Sequence, residues 1–298
     1  MGANHAVLQR AGITRQSSYV EGESRTNAPD GGDEGAGART VMVATDGSMR
    51  SLRILPHAEA FASRSGASVR LVHILPPDGP VALDGIGQEG QRETVVYSRG
   101  RSESLAEAIA RVASELQADL IAMHTEHSFS GMRHAAKGSV TLDVLDQTHI
   151  PLLVSGPSIG EAAHGSRRFV VATDGSPPSD WALLRQAGWL LERSFEVTLL
   201  EVYMPRLGDE AEREEIQSAE ARLDQLKQRL IGESSFAVES APDPRQVESR
   251  VVEKALELEA LGIAMSTEAH RRMRHLVLGS VSMAILRKSP LPLLLASR

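Results

Sequence analysis

A long internal repeat constrains the fold of this chain more than any other feature of its sequence. The segment Val43–Ser48 recurs letter for letter as Val171–Ser176. Later blocks recur in the same order, Gly138-Ser139-Val140 as Gly279-Ser280-Val281 and the stretch 149–153 as 290–294. Solenoid repeats have periods of roughly 20–50 residues, far shorter than the spacing here. The sequence therefore predicts a duplicated domain.

Each copy alternates short apolar runs with segments of helical periodicity. In the first copy the apolar runs lie at 41–44, 68–75, 92–98, 119–123 and 151–154, and the helical patterns at about 49–65, 102–117 and 138–148. This alternation is typical of a parallel sheet that is covered on both faces by helices. We therefore expect an α/β protein with two tandem, open, parallel five-stranded sheets, which would pack as a pseudo-symmetric pair.

Domain boundaries follow from composition and from the repeat. Residues 1–38 are polar and rich in glycine, so we expect a flexible N-terminal tail. The first domain is predicted at 39–157, a linker at 158–166 and the second domain at 167–298. Each half is long enough to bury a core of its own. The second half also carries an insertion at about 207–230, which we interpret as a charged, solvent-facing helix.

Composition excludes several classes of function. The net charge is -7 and only 3% of residues are aromatic, which argues against a nucleic-acid partner. The chain has no cysteine, which excludes disulfides, thiol catalysis and thiolate metal sites. We find no apolar run long enough to span a membrane and no signal-peptide pattern, so we expect a cytoplasmic protein without a membrane partner.

These motifs resemble the universal stress protein family. The resemblance rests on an apolar strand that ends in Asp-Gly-Ser, a later Gly-Ser-Val helix start and a final Pro-Leu-Leu strand, and it covers about 39–157 and 167–298. It implies a tandem member with the adenine nucleotide alpha hydrolase-like, Rossmann-like fold. Some family members bind ATP through a G-x2-G-x9-G-[S/T] signature, in which glycines and a helix N-terminus approach phosphates.

The resemblance implies a nucleotide site in each half for ATP or another adenine nucleotide. Asp46 and Asp174 would face the ribose, Ile74 and Val202 would line the base pocket, and the phosphates would meet Gly138, Ser139, Thr141, Gly279, Ser280 and Ser282. The alternative for each aspartate is an Asx turn or a helix N-cap. The alternative for each Gly-Ser pair is a plain helix start.

The early part of the signature differs from the family pattern. Its first two glycine positions hold Thr125 and Ser128 in the first half, and Ser266 and Ala269 in the second. A residue with a Cβ adopts positive φ only at a cost. The sequence thus leaves open a nucleotide-independent interaction scaffold, beside a stress-response module that binds an adenine nucleotide and regulates an unidentified partner protein.

Catalysis is the least supported function. We find no nucleophile elbow, no P-loop and no catalytic constellation in the sequence. A weak nucleotide hydrolase is therefore only the third hypothesis. His124 and His127 have a His-x-x-His spacing, but we place them on a loop after a strand and expect no metal site there. Whether the chain forms a homo-oligomer is left open.

Overall fold

The computed structural model describes residues 39–77, 94–126, 139–205, 209–266 and 279–296. The predicted tail 1–38 lies outside these ranges, as do Gly138 and His127. Among the residues described, no helix is both long and apolar enough to cross a membrane.

The described residues of the first half form five strands and three α-helices, with a short 3-10 helix at Ser51–Ile54. In chain order the elements are β1 Thr40–Thr45, α1 Leu55–Ser65, β2 Ser68–Leu75, β3 Thr94–Ser98, α2 Leu105–Glu115, β4 Leu120–His124, α3 Val140–Gln147 and β5 Leu152–Ser155.

The second half repeats the order of these described elements, with a further helix between its second and third strands. The elements are β6 Arg168–Thr173, α4 Pro177–Leu191, β7 Glu196–Tyr203, α5 Asp209–Lys227, β8 Ser234–Ser240, α6 Val247–Glu257, β9 Gly262–Ser266, α7 Ser280–Lys288 and β10 Leu293–Ala296. A 3-10 turn at Pro244–Gln246 precedes α6.

Helix ends follow recognisable local signals. Helix α1 has a proline in its first turn and ends at Gly66, whose φ of 68° is a left-handed cap conformation. Helix α2 begins with a capping box, in which the Ser104 hydroxyl accepts from the Glu107 N–H while the Glu107 carboxylate accepts from the Ser104 N–H.

The strands of the described residues form one ten-stranded sheet in the order β3-β2-β1-β4-β5-β10-β9-β6-β7-β8. Pairing is parallel within each half, as predicted, which confirms the α/β fold class. The two halves join where β10 pairs antiparallel with β5, with Leu294 opposite Leu153. The sequence did not predict this junction, because nothing in the strand pattern says that the last strand of each half pairs with its counterpart.

Apolar side chains form two cores, one on each face of the sheet. Helices α2, α3, α6 and α7 cover one face, and α1, α4 and α5 cover the other. Each core contains residues of both halves, such as Val154 with Leu293 on one face and Phe61 with Phe169 on the other. The two apolar cores are therefore continuous across the junction, since the shared sheet runs through both halves.

An aromatic cluster lies between the halves. Phe61 of α1 stacks on Trp189 of α4 at 5.7 Å between ring centroids, and it also contacts Phe169 and Phe195. Arg193 lies over the Trp189 ring and forms a 3.2 Å ion pair with Asp119 at the start of β4. Four of the ten aromatic residues of the chain therefore lie where the halves meet.

Helix α5 corresponds to the predicted insertion but is not simply solvent-facing. Its first turns are acidic and largely exposed, whereas Ala219, Leu223 and Leu226 are buried against the face shared with α4. The charged residues at the start of α5 dominate the sequence pattern, so the prediction overlooked the apolar stripe in the second half of this helix.

Candidate functional site

Each half has a cavity at the carboxyl ends of its central strands. Strand β1 lies between β2 and β4 in the first half, and β6 lies between β7 and β9 in the second. The chain connections diverge at these positions, and open α/β sheets bind ligands in the crevice that results.

The Asp-Gly-Ser turns at the rim of the two cavities have the same geometry. Gly47 and Gly175 have φ values of 84° and 76°, which favour glycine. The N–H of each glycine donates to a threonine hydroxyl two residues earlier, at 3.0 Å and 3.1 Å. Conservation of this bond in both copies explains why the threonine is part of the repeated motif.

Asp46 and Asp174 both make Asx turns. The Ser48 N–H donates to the Asp46 carboxylate at 2.9 Å, and the Ser176 N–H donates to Asp174 at 3.0 Å. Each aspartate is exposed beside its cavity. The Asx turn is therefore present at both positions, and it engages only one oxygen of each carboxylate, so that the second oxygen can accept a further hydrogen bond.

The pKa of each of these aspartates lies below its ordinary value. Partial burial acts to raise the pKa of Asp46, but the hydrogen bonds from Ser48 and Ser51 together outweigh it. The same balance, with Ser176 and Ser179 as donors, lowers the pKa of Asp174. Both side chains are consequently carboxylates at neutral pH and act as hydrogen-bond acceptors.

The first cavity has a volume of about 350 Å³. Of the predicted residues, Asp46, Ile74 and Thr141 line it. Ser139 does not: it is buried at the start of α3, and its hydroxyl has no hydrogen-bond partner among the described residues. Residues that were not predicted for the site also line it, among them Leu105, Ile109, Arg50, Met123, His124 and Glu126.

The second cavity is smaller, about 250 Å³. It brings together all five predicted residues of its half: Asp174, Val202, Gly279, Ser280 and Ser282. Val247 and Val251 of α6 stand where Leu105 and Ile109 of α2 stand in the first half. No arginine among the described residues lines this cavity, because the counterpart of Arg50 in the repeat is Pro178.

A polar network in the wall of the first cavity was not predicted. His124 is the last residue of β4, not a loop residue as expected, and its ring lies 2.8 Å from the Ser155 hydroxyl and 2.9 Å from the Glu126 carboxylate. The hydrogen bond from His124 is the main reason why the pKa of Glu126 is lowered. Ser266 and Ala296 hold the positions of His124 and Ser155 in the second half, so the contact between a histidine ring and a serine hydroxyl is not repeated there.

The second half has a different network beneath its turn. Nη1 of Arg222 in α5 donates to both carboxylate oxygens of Asp180, at 2.9 Å and 3.1 Å, and Nη2 forms an ion pair with Glu201 of β7. Asp180 in turn accepts from the Thr173 hydroxyl that binds the turn glycine. Leu52 and His73 occupy the matching positions of the first half, so the pattern could not be found by comparing the repeats.

Comparisons with known proteins agree with this architecture. The sequence profile described as Universal stress protein family matches residues 37–99, 85–155 and 165–297. No curated protein matches the chain. Among solved structures, a universal stress protein from Archaeoglobus fulgidus DSM 4304 is similar at 18% identity and a TM-score of 0.58, covering 88% of this chain and 99% of that one.

A second solved structure is similar over most of its length. It is described as a candidate universal stress protein from Pseudomonas aeruginosa UCBPP-PA14, and it aligns at 15% identity and a TM-score of 0.54 over 87% of this chain and 93% of that one. At such identities these likenesses concern the fold, whereas the profile matches extend over both halves of the sequence. The chain belongs to the universal stress protein family.

Proposed function

We propose that this protein binds an adenine nucleotide in the first-half cavity and that nucleotide occupancy regulates its contacts with a partner protein. The observation that carries the proposal is the combination of an exposed carboxylate, an apolar wall and a helix start around a single cavity of about 350 Å³. Pockets for small molecules usually measure about 300–1,000 Å³ and combine an apolar lining with a few polar groups.

Each part of a nucleotide has a suitable counterpart in this cavity. Ile74, Leu105 and Ile109 offer the apolar surface against which an adenine ring can pack. Asp46 can accept hydrogen bonds from the ribose hydroxyls. The hydroxyl of Thr141 and the start of α3 provide donors for phosphate, and the exposed Arg50 adds a positive charge at the rim.

The second cavity is the weaker candidate for the same ligand. Its volume of about 250 Å³ falls below the usual range, and no described arginine lines it. A test should therefore treat the two halves separately.

The matched substitutions Asp46→Asn and Asp174→Asn separate the halves. Asparagine keeps an oxygen that can accept the Asx-turn hydrogen bond, so each turn should persist while the charge is lost. Protein freed of bound nucleotide is titrated with ATP, ADP, AMP and GTP by calorimetry. We expect adenine nucleotides to bind and Asp46→Asn to weaken them by more than about tenfold, the loss of one hydrogen bond to a charged group. Asp174→Asn should change the affinity by less than twofold.

A nucleotide-independent scaffold is the alternative, and Thr125 favours it. This residue occupies an early glycine position of the signature, yet it is buried and its N–H donates to the Ser155 carbonyl at 2.9 Å, as an extension of the β4–β5 ladder. A ligand that binds only the folded state raises the free energy of unfolding, by about 2.7 kcal/mol at a concentration a hundredfold above Kd, and thereby raises the melting temperature. If no nucleotide shifts the melting temperature at millimolar concentration, the nucleotide proposal fails and the scaffold remains.

A further inference from the structure

The wall of the first cavity carries two carboxylates, Asp46 and Glu126. Asp46 directly follows β1, and Glu126 lies two residues after the end of β4. Arg50 is the only arginine or lysine among the described residues that line the cavity. Acidic side chains therefore outnumber basic ones in this part of the wall, although a nucleotide is itself an anion.

The Glu126 carboxylate is held in place by the side chains behind it. Its Oε1 lies 2.9 Å from Nε2 of His124, and Nδ1 of the same ring lies 2.8 Å from the Ser155 hydroxyl. The His124 side chain is only 1% exposed, so the ring has little freedom to move. Nη1 of Arg53 approaches the same carboxylate oxygen to 3.7 Å. Glu126 would have to break these contacts to leave the cavity wall.

Glu126 is also fixed in its charged form. The hydrogen bond from His124 is the main reason why its pKa is lowered, and the positive charges of Arg50 and Arg53 lower the pKa further. This electrostatic interaction means that part of the Arg50 charge is already balanced. Arg53 is engaged elsewhere as well, because its guanidinium donates to the carbonyls of Pro157 and Ile159, both at 3.0 Å.

Few donors remain for phosphate oxygens in the described part of the wall. The Thr125 N–H is used by the Ser155 carbonyl, at 2.9 Å. Arg50, the Thr141 hydroxyl and the first N–H groups of α3 can donate. Asp143 in the first turn of α3 offsets part of the positive end of the helix dipole. This set of donors is sufficient for one phosphate group.

The size of the cavity brings every ligand charge close to both carboxylates. A sphere of about 350 Å³ is about 9 Å across, close to the Debye length of about 8 Å at physiological salt. Screening by salt therefore weakens the repulsion only in part. A single phosphate monoester carries about -1.5 to -2 charges at neutral pH, and each further phosphate group adds negative charge.

We propose that the first cavity selects an adenine nucleotide with a single phosphate group, and that Glu126 is the residue that disfavours longer phosphate chains. His124 acts through Glu126 and is a positioning residue. The proposal rests on the nucleotide-binding function proposed above and narrows its ligand to the nucleoside monophosphates.

The substitution Glu126→Gln tests the role of the charge. Glutamine keeps an oxygen that can contact the His124 ring, but it carries no charge. The matched control is Glu220→Gln, because Glu220 is exposed on α5 and does not line the cavity. Adenosine, AMP, ADP and ATP are titrated by calorimetry into each full-length protein freed of bound nucleotide. Divalent cations are omitted, since they would neutralise the phosphates. Melting temperatures verify that both variants retain the fold.

We expect the wild-type protein to bind AMP at least tenfold more tightly than ATP, with ADP in between and adenosine weaker than AMP. Glu126→Gln should reduce the ratio of the ATP and AMP dissociation constants by about tenfold, the scale of one charge at such distances. Glu220→Gln should leave this ratio unchanged.

The possible failures can be told apart. If the wild-type protein binds ATP as tightly as AMP, or adenosine more tightly than AMP, the selectivity proposal is overturned while the adenine site stands. An AMP preference that persists undiminished in Glu126→Gln would overturn the role of Glu126, and would assign the preference to the shape of the cavity. If none of the four compounds binds, the proposed function fails, and this narrower proposal fails with it.

Discussion

Phe61 and Trp189 hold the same position in the two repeats, and their rings stack on each other at 5.7 Å. Such self-contact between equivalent residues is typical of a two-fold axis in a homodimer. Here it occurs within one chain. The aromatic cluster and the β5–β10 pairing therefore make the two halves a single structural unit.

Phe61→Ala should destabilise both halves together. The substitution leaves a cavity between α1, β6 and α4, and buried phenylalanine truncations cost about 3–5 kcal/mol. Urea unfolding followed by circular dichroism should show one transition, shifted to lower urea. The matched control is Met49→Ala, because Met49 is 72% exposed and its loss should be almost neutral. Two separate transitions, with only one of them shifted, would contradict a shared core.

Gly156→Ala should be destabilising, because a Cβ at this position would lie 1.6 Å from the backbone oxygen of Leu286. Backbone must move to admit the methyl group, at a cost of at least about 1–3 kcal/mol. Gly165→Ala, in the same segment, meets nothing within 4 Å and should leave stability nearly unchanged. Thermal unfolding of the pair measures how firmly the segment between the halves is held. Similar melting temperatures would argue against the packing described.

Arg222→Met should destabilise the second half through its two carboxylate partners. Asp180 and Glu201 would each lose a counterion while remaining largely buried. Breaking a fully buried ion pair costs about 3–5 kcal/mol, and the partial exposure of Arg222 reduces our expectation to about 1–3 kcal/mol. The control is Arg213→Met, on the exposed part of the same helix. Adding Asp180→Asn and Glu201→Gln to Arg222→Met should recover much of the loss.

Stability should fall as the pH decreases below the ordinary histidine pKa of about 6.5. Burial lowers the pKa of His57 although its hydrogen bond to the Gly160 carbonyl acts in the opposite direction. At pH values between the pKa of His57 in the folded protein and its pKa in the unfolded chain, the unfolded chain binds one more proton than the folded protein. Stability is therefore complete above about pH 6.5 and decreases toward the folded pKa, by at most about 1.4 kcal/mol per pH unit for one histidine.

His57→Gln should reduce this pH dependence, since glutamine can donate to the same carbonyl without titrating. Burial lowers the pKa of His73 as well, so part of the slope should remain. His149→Asn, at an exposed position, serves as the control. Unfolding free energies at pH 7.5, 6.5 and 5.5 provide the measurement, and an unchanged slope in His57→Gln would refute the assignment.

Local features of the fold could be predicted from the sequence, whereas features that depend on distant partners could not. The Asp46 and Asp174 turns are specified by Thr-Asp-Gly-Ser itself, because the glycine φ and the threonine and aspartate hydrogen bonds all lie within four residues. The junction of β5 with β10 depends instead on backbone pairing between the edges of two strands, and no residue type in these strands indicates which edge pairs with which. The placement of Arg222 under the second turn likewise depends on α5, whose residues the sequence comparison treats as an insertion without a counterpart in the first repeat.

The candidate site was predicted in part. Asp46, Ile74 and Thr141 face one cavity and the five second-half residues face the other, but Ser139 is buried and Gly138 lies outside the described ranges. Ligand binding by any of these residues stays a prediction. The His124–Glu126 contact was missed because the pattern suggested a loop, and because its partner Ser155 comes from a different strand.

The continuous sheet has a consequence for how the two cavities can evolve. In a dimer of identical chains, every mutation appears twice and both cavities change together. Covalent fusion removes that constraint while it preserves the two-fold arrangement. Arg50 and the His124 network in one half, and Pro178 and the Arg222 network in the other, are differences that a dimer of identical chains could not carry and that the fused chain holds in a fixed ratio of one to one. One gene can thereby encode a pair of pockets under separate selection.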